Sequence, residues 1–229
     1  MDSPPTSPIR KLVAFVLPMG VFIGLLGLGD ALRSPGGNPW LAAPEYWIYP
    51  LQTLVCGALV AWFWRDYELR VPQKIWFAIV IGLVVFGFWI APQQFLGFAP
   101  RTTGFDPEHF AGQPAMYWFV IGFRFLRLVV VVPLVEEIFW RGFLLRYLIN
   151  ERFTGVEIGA FSWVSFAVVT FAFGFAHSRA DWIAAVITGA LYNLVACRTR
   201  SLTSCVVAHA LTNFLLGLWI IQTRQWGFW

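Results

Sequence analysis

Glu136, Glu137 and Arg141 lie in VVPLVEEIFWRGFLL, residues 131–145, a stretch that is otherwise apolar. On a helix Glu137 and Arg141 are four residues apart with the acid N-terminal, the better orientation for an ion pair. Glu136 points about 100° away from Glu137 around the axis. One carboxylate is therefore neutralised by the guanidinium and the other is left free, which suits a general base or acid. Two more pairs share the four-residue spacing: Phe173 and His177 in FGFAH, and His209 and Asn213 in HALTN. The chain has three histidines, and these are two of them. The third, His109 in FDPEHFAG, reads as a solvated loop residue. Each pair has a plainer alternative. A Glu–Arg pair can be structural glue, and a histidine or asparagine in an apolar helix can hydrogen-bond a neighbouring helix. Taken jointly, a free Glu, two His and an Asn on three helices would need one polar cavity, supplying a base for water and donors for an oxyanion.

The elements that carry these residues belong in lipid. The 229-residue chain is 59% hydrophobic and 12% charged, about half the charge content of an average soluble domain. Apolar runs near the ~20 residues needed to cross a bilayer recur near 12–29, 46–64, 75–91, 115–136, 158–177, 182–197 and 202–221. They are continuous rather than alternating, so helices and not a barrel satisfy the backbone. The expected fold is all-α, a multi-pass transmembrane helical bundle of about seven to eight spans, the fourth running on through Ile149. Trp40, Trp47, Trp64, Trp118, Trp182, Trp226 and Trp229 sit near span ends, as an interfacial belt would place them. MDSPPTSPIRKLVAF resembles a signal peptide without a cleavage site and is expected to remain as the first span. Cys56, Cys197 and Cys205 show neither metal-ligand nor disulfide spacing and read as small buried residues.

The net charge of +4 follows the positive-inside rule and does not indicate nucleic acid. With the N-terminus inside, Arg10, Lys11, Arg65, Arg70, Lys74, Arg146, Arg152, Arg198 and Arg200 share the inner side, and Arg33, Arg101, Arg179 and Arg224 the outer. Two long Pro/Gly-rich loops, 32–45 and 92–114, fall outside. The second divides an amino-terminal set of helices, 1–114, from a polar-studded core, 115–229, where the chemistry is expected.

EEIFWRG, FGFAH and HALTN, in this order, resemble the three motifs of the type II CAAX prenyl endopeptidase family and its bacterial bacteriocin-processing and self-immunity relatives. The pattern Glu-Glu-x-x-x-Arg, Phe-x-x-x-His and His-x-x-x-Asn is complete, and the resemblance covers about 115–221. It implies an intramembrane endopeptidase in which Glu136 and His177 activate a water and His209 and Asn213 stabilise the oxyanion or hold that water. Glu137 and Arg141 would hold the geometry and Phe173 would wall the cavity. The implied substrate is a membrane-tethered peptide or lipoprotein segment, prenylated or a sorting tail, and the implied setting is the lipid bilayer of a bacterial cytoplasmic membrane. One divalent metal ion such as zinc is the alternative to a free water, with Glu136, His177 and His209 as ligands. The missing H-E-x-x-H favours the glutamate-activated water.

Other chemistries fit less well. Gly27-Leu28-Gly29-Asp30 spells an aspartyl-protease signature, but its second carboxylate would be Asp66, at the opposite end of the second span. Ser162, Ser165 and Ser204 lack a nucleophile turn. Arg124 and Arg127, three apart on one face, either snorkel to the interface or receive a substrate carboxylate. Asp181 reads as a helix N-cap. A non-enzymatic scaffold or immunity protein and a proton-coupled transporter are the rival functions. One difficulty is depth: His177, at the far end of its span, meets Glu136 only if that helix starts late or tilts.

Overall fold

The computed structural model describes residues 7–229 apart from 35, 37 and 103. The first six residues of the signal-like amino terminus and these single positions in the two long loops lie outside the described residues. The apolar runs fold as α1 (Pro8–Leu32), α2 (Glu45–Trp62), α3 (Ile75–Phe95), α4 (Pro114–Tyr147), α5 (Trp163–Phe175), α6 (Trp182–Thr199) and α7 (Leu202–Thr223), with no strand among the described residues. Five of them, α1, α3, α4, α7 and α6 with its preceding turn, are long and apolar enough to cross a membrane. The chain is an integral membrane protein. α2 carries Glu45, Gln52 and Thr53 and is less apolar, while α5 has 13 residues, fewer than a bilayer crossing requires.

Large apolar side chains point out of the bundle along continuous stripes: Ile79, Val80, Leu83, Val84 and Phe88 on α3, and Val164, Val168, Phe171 and Phe175 on α5. Lipid tails satisfy such stripes and water does not. Inside, α5 packs on α6, α3 on both α6 and α7, α4 on α7, and α1 on α2 and α4. Two glycines permit close approaches between helices. A Cβ on Gly174 would meet Val186 Cγ2 at 2.3 Å, and one on Gly82 would meet Ala208 O at 2.8 Å. The small-residue logic is that of membrane helix pairs.

The charged residues gather at two ends. At one, Asp66 takes Arg10 and Lys11, Arg146 pairs with Glu68, Arg200 pairs with Glu157, and Lys74 Nζ donates to Arg198 O. At the other, Arg33 pairs with Glu45, Arg101 with Asp181 and Arg224 with Glu108. This is the grouping expected from the alternation of spans. Asp181 stands at the N-cap position of α6 but makes no capping bond. Its carboxylate accepts from Arg101 and from Ser178 Oγ instead, because the guanidinium offers a charge that the helix N–H groups do not. His109 is exposed, as expected, and stacks on Tyr46.

Candidate active site

α4 is continuous but not uniform. Its turns widen to π geometry at Arg127–Val131 and again at Ile138–Leu144, with the α-helical Val132–Glu137 between them. Pro133 accounts for the first. It has no N–H to offer and crowds the preceding turn, while Val132 N–H reaches back to Arg127 O. Leu128 O is thereby left without a helical donor, and Asn213 Nδ2 on α7 fills the gap at 2.8 Å. The proline thus fixes where Asn213 stands.

Glu137 and Arg141 form the pair that their spacing implies, at 3.0 Å with both side chains fully buried. The pair has more partners than the sequence suggested. Arg141 also donates to Asn193 Oδ1 at 3.0 Å and to Gly189 O at 3.1 Å, and lies over the rings of Phe173 and Tyr192. Asn193 in turn donates to Thr170 Oγ1 and Phe166 O, tying α4, α5 and α6 together. The same Glu137 oxygen meets His209 Nδ1 at 2.8 Å. With its Nδ1–H given to a carboxylate, His209 keeps Nε2 for the cavity. Its ring packs against Tyr192, whose hydroxyl donates to Thr212 Oγ1, which donates to Gly82 O.

Glu136 differs from its neighbour. It is buried, with 9% of its surface accessible, and among the described residues it makes no hydrogen bond or ion pair; its Oε2 is sealed without a partner. Glu136, His177, His209 and Asn213 all line one cavity of about 480 Å³, walled by Trp140, Phe173 and Tyr192 and running toward Asp181 and Trp229. His177 Nδ1 lies 2.8 Å from Phe173 O, and Trp182 Nε1 donates to His177 O at 3.1 Å, which fixes the imidazole at the turn between α5 and α6.

The depth difficulty is resolved by the short α5. Ser165 Oγ donates to Leu145 O, so the start of α5 is level with residue 145 of α4. Twelve residues on, His177 lies ~18 Å along the bundle and Glu136, nine residues from Leu145, ~13 Å. The two residues are then within about one helical turn of each other and line the same cavity.

Arg124 and Arg127 do not snorkel. Both are buried; Arg124 lies over Tyr49 and Phe105, and Arg127 over Tyr49 and Phe22 with its Nε 2.5 Å from Gln52 Oε1. Of the two, Arg127 lines the cavity and Arg124 is not among its walls. Met19, Phe22, Ile23 and Leu26 of α1 and Trp89 of α3 complete the enclosure, so the first half of the chain walls the site. Sequence reasoning left Asn193, Tyr192, Trp89 and Gln52 unassigned. Asn193, four residues after Gly189 on an apolar helix, carried the same signal as Asn213; the others carried none.

Glu136, His177 and His209 are the three residues suggested as zinc ligands. They share the cavity, but no group of three His, Cys, Asp or Glu able to hold a metal ion occurs among the described residues. As placed, they do not fit a metal ion.

A family model described as type II CAAX prenyl endopeptidase Rce1-like matches residues 117–215. The matched stretch contains Glu136, Glu137, Arg141, Phe173, His177, His209 and Asn213. No curated protein and no solved structure matches the chain.

Proposed function

We propose, from the match of residues 117–215 to the Rce1-like family model, that the chain is an intramembrane endopeptidase that hydrolyses a peptide bond of a membrane-tethered substrate with a water activated by Glu136. The observation that carries the reading is the contrast between the two adjacent carboxylates. Glu137 holds Arg141 and His209 through Oε1, its buried Oε2 having no partner among the described residues, whereas Glu136 makes no hydrogen bond or ion pair there through either oxygen and opens onto the cavity that holds His177, His209 and Asn213. Structural glue would show the reverse for Glu136, since a buried carboxylate without a partner costs stability.

Glu136 takes a proton from the water as its oxygen attacks the scissile carbonyl carbon. His177, with Nδ1 given to a backbone carbonyl, presents Nε2 to the same water. The negative charge that develops on the carbonyl oxygen is met by the second N–H of Asn213 Nδ2, the first being held by Leu128 O, and by His209 Nε2–H when the ring is protonated. Glu137 orients that ring. The carbon–nitrogen bond then breaks, and Glu136 returns its proton to the leaving amine. Arg141 holds Glu137 in place and touches no reacting atom. The substrate is a peptide segment held at the membrane, with a prenylated tail and a sorting tail as the two candidates.

The test is cleavage of a library of membrane-tethered peptides by purified protein, wild type beside Glu136→Gln, with and without chelator. Glu136→Gln is expected to cut the rate by at least about 10²-fold, the lower range for losing a general base, in protein that remains folded. A chelator is expected to leave the rate unchanged. Absence of cleavage by folded wild type across the library, or full activity in Glu136→Gln, would overturn the reading; inhibition by chelator would replace the free water with a metal-bound one.

A further inference from the structure

The cavity holds a positive charge that the hydrolytic steps do not use. Arg127 is 5% exposed, and its one hydrogen bond is from Nε to Gln52 Oε1. Its two terminal nitrogens donate to nothing among the described residues, and no carboxylate lies within ion-pair distance of it there. Gln52 is itself fully buried and pinned by donating to Phe22 O at 2.6 Å. Tyr49 and Phe22 lie against the guanidinium plane. A planar cation is thus fixed on two sides and left with the donor edge that matches a carboxylate.

We propose that Arg127, oriented by Gln52, binds the free C-terminal carboxylate of the peptide being cleaved. This rests on the proposed hydrolysis at Glu136. Arg127 stands nine residues before Glu136 on α4, ~13 Å along the axis, a distance that a few extended residues span. The site therefore selects a bond near the end of a chain and fixes the register in which that bond meets the water. Arg124, buried three residues earlier but not lining the cavity, takes no part.

The experiment compares one membrane-tethered peptide with a free C-terminal carboxylate and the same peptide amidated there. Cleavage is measured in wild type, Arg127→Gln, Arg127→Lys and Arg124→Gln, and binding is measured by fluorescence anisotropy in Glu136→Gln protein with and without Arg127→Gln. In wild type the acid is expected to be cleaved at least about tenfold better in kcat/KM than the amide, the scale of one lost charge-assisted bidentate contact. Arg127→Gln collapses that ratio toward one, Arg127→Lys retains part of it, and Arg124→Gln keeps it as in wild type. Equal cleavage and equal binding of acid and amide by wild type would overturn the carboxylate site while leaving the protease in place. A binding preference for the acid that depends on Arg127, with no cleavage of either peptide, would retain the site and remove the protease. If Arg127→Gln fails to fold, Arg127→Lys carries the assignment, because an acid-to-amide ratio unchanged from wild type in that variant would overturn it.

Discussion

Glu136 and Glu137 are neighbours in sequence with opposite surroundings, and their substitutions should separate accordingly. Glu136→Gln removes a base from a carboxylate that nothing holds, so activity is lost while thermal stability stays at the wild-type level or rises. Glu137→Leu strands a fully buried Arg141 and removes the partner of His209. Breaking such a buried pair costs about 3–5 kcal/mol, so this variant should lose stability as well as turnover. Parallel melting curves and peptide cleavage check both; equal stability loss in the two variants would refute the division of roles. The Glu137–Arg141 pairing was legible from the spacing, since residues four apart share a helix face and adjacent ones do not. The second partner of Glu137 was not legible, because His209 is 72 positions away and only the packing of α7 on α4 brings it there.

The site depends equally on irregularities of its helices. Pro133 leaves Leu128 O free for Asn213, and an N–H restored at that position would compete for the carbonyls of the preceding turn. Pro133→Ala should therefore tighten the first π segment and loosen Asn213. The expected result is a fall in kcat/KM of about tenfold, a part of what losing one oxyanion donor costs, with a melting temperature equal to or above wild type. A stability loss without an activity loss would show the π turn to be incidental. Gly174 makes a second demand, since its backbone lies against Val186. Gly174→Ala should push α5 from α6 and destabilise the protein by about 1–3 kcal/mol, the usual cost of overpacking, as urea-free thermal melts in detergent would report. The helices themselves were readable from apolar run length. The late start of α5 and the widened turns were not, because run length reports hydrophobicity and says little of where a helix begins, although Pro133 was a visible cue for one of the widenings.

At the scale of the molecule, the sequence divides into a plain first half and a polar second half, yet the cavity is closed by both. Met19, Phe22 and Trp89 come from helices that carry no motif, and Gly82 O on α3 terminates the hydrogen-bonded chain from Tyr192. Motifs show where reacting groups lie along a chain; the walls around them are ordinary apolar side chains and leave no such mark. The two charged ends are the part of the whole that sequence alternation did capture, and they make orientation testable. Nine Lys/Arg lie on the Asp66 end and four on the Asp181 end, so the positive-inside rule predicts that the Asp66 end faces inward. Arg152 and Arg179 are exposed at opposite ends. With Cys56, Cys197 and Cys205 replaced, a cysteine at residue 179 should react with a membrane-impermeant maleimide added outside cells, and one at residue 152 only after permeabilisation. The opposite pattern would invert the molecule. Because the cavity runs from Glu136 toward Asp181 and Trp229, the same labelling also decides from which side of the membrane a peptide reaches the water-activating carboxylate.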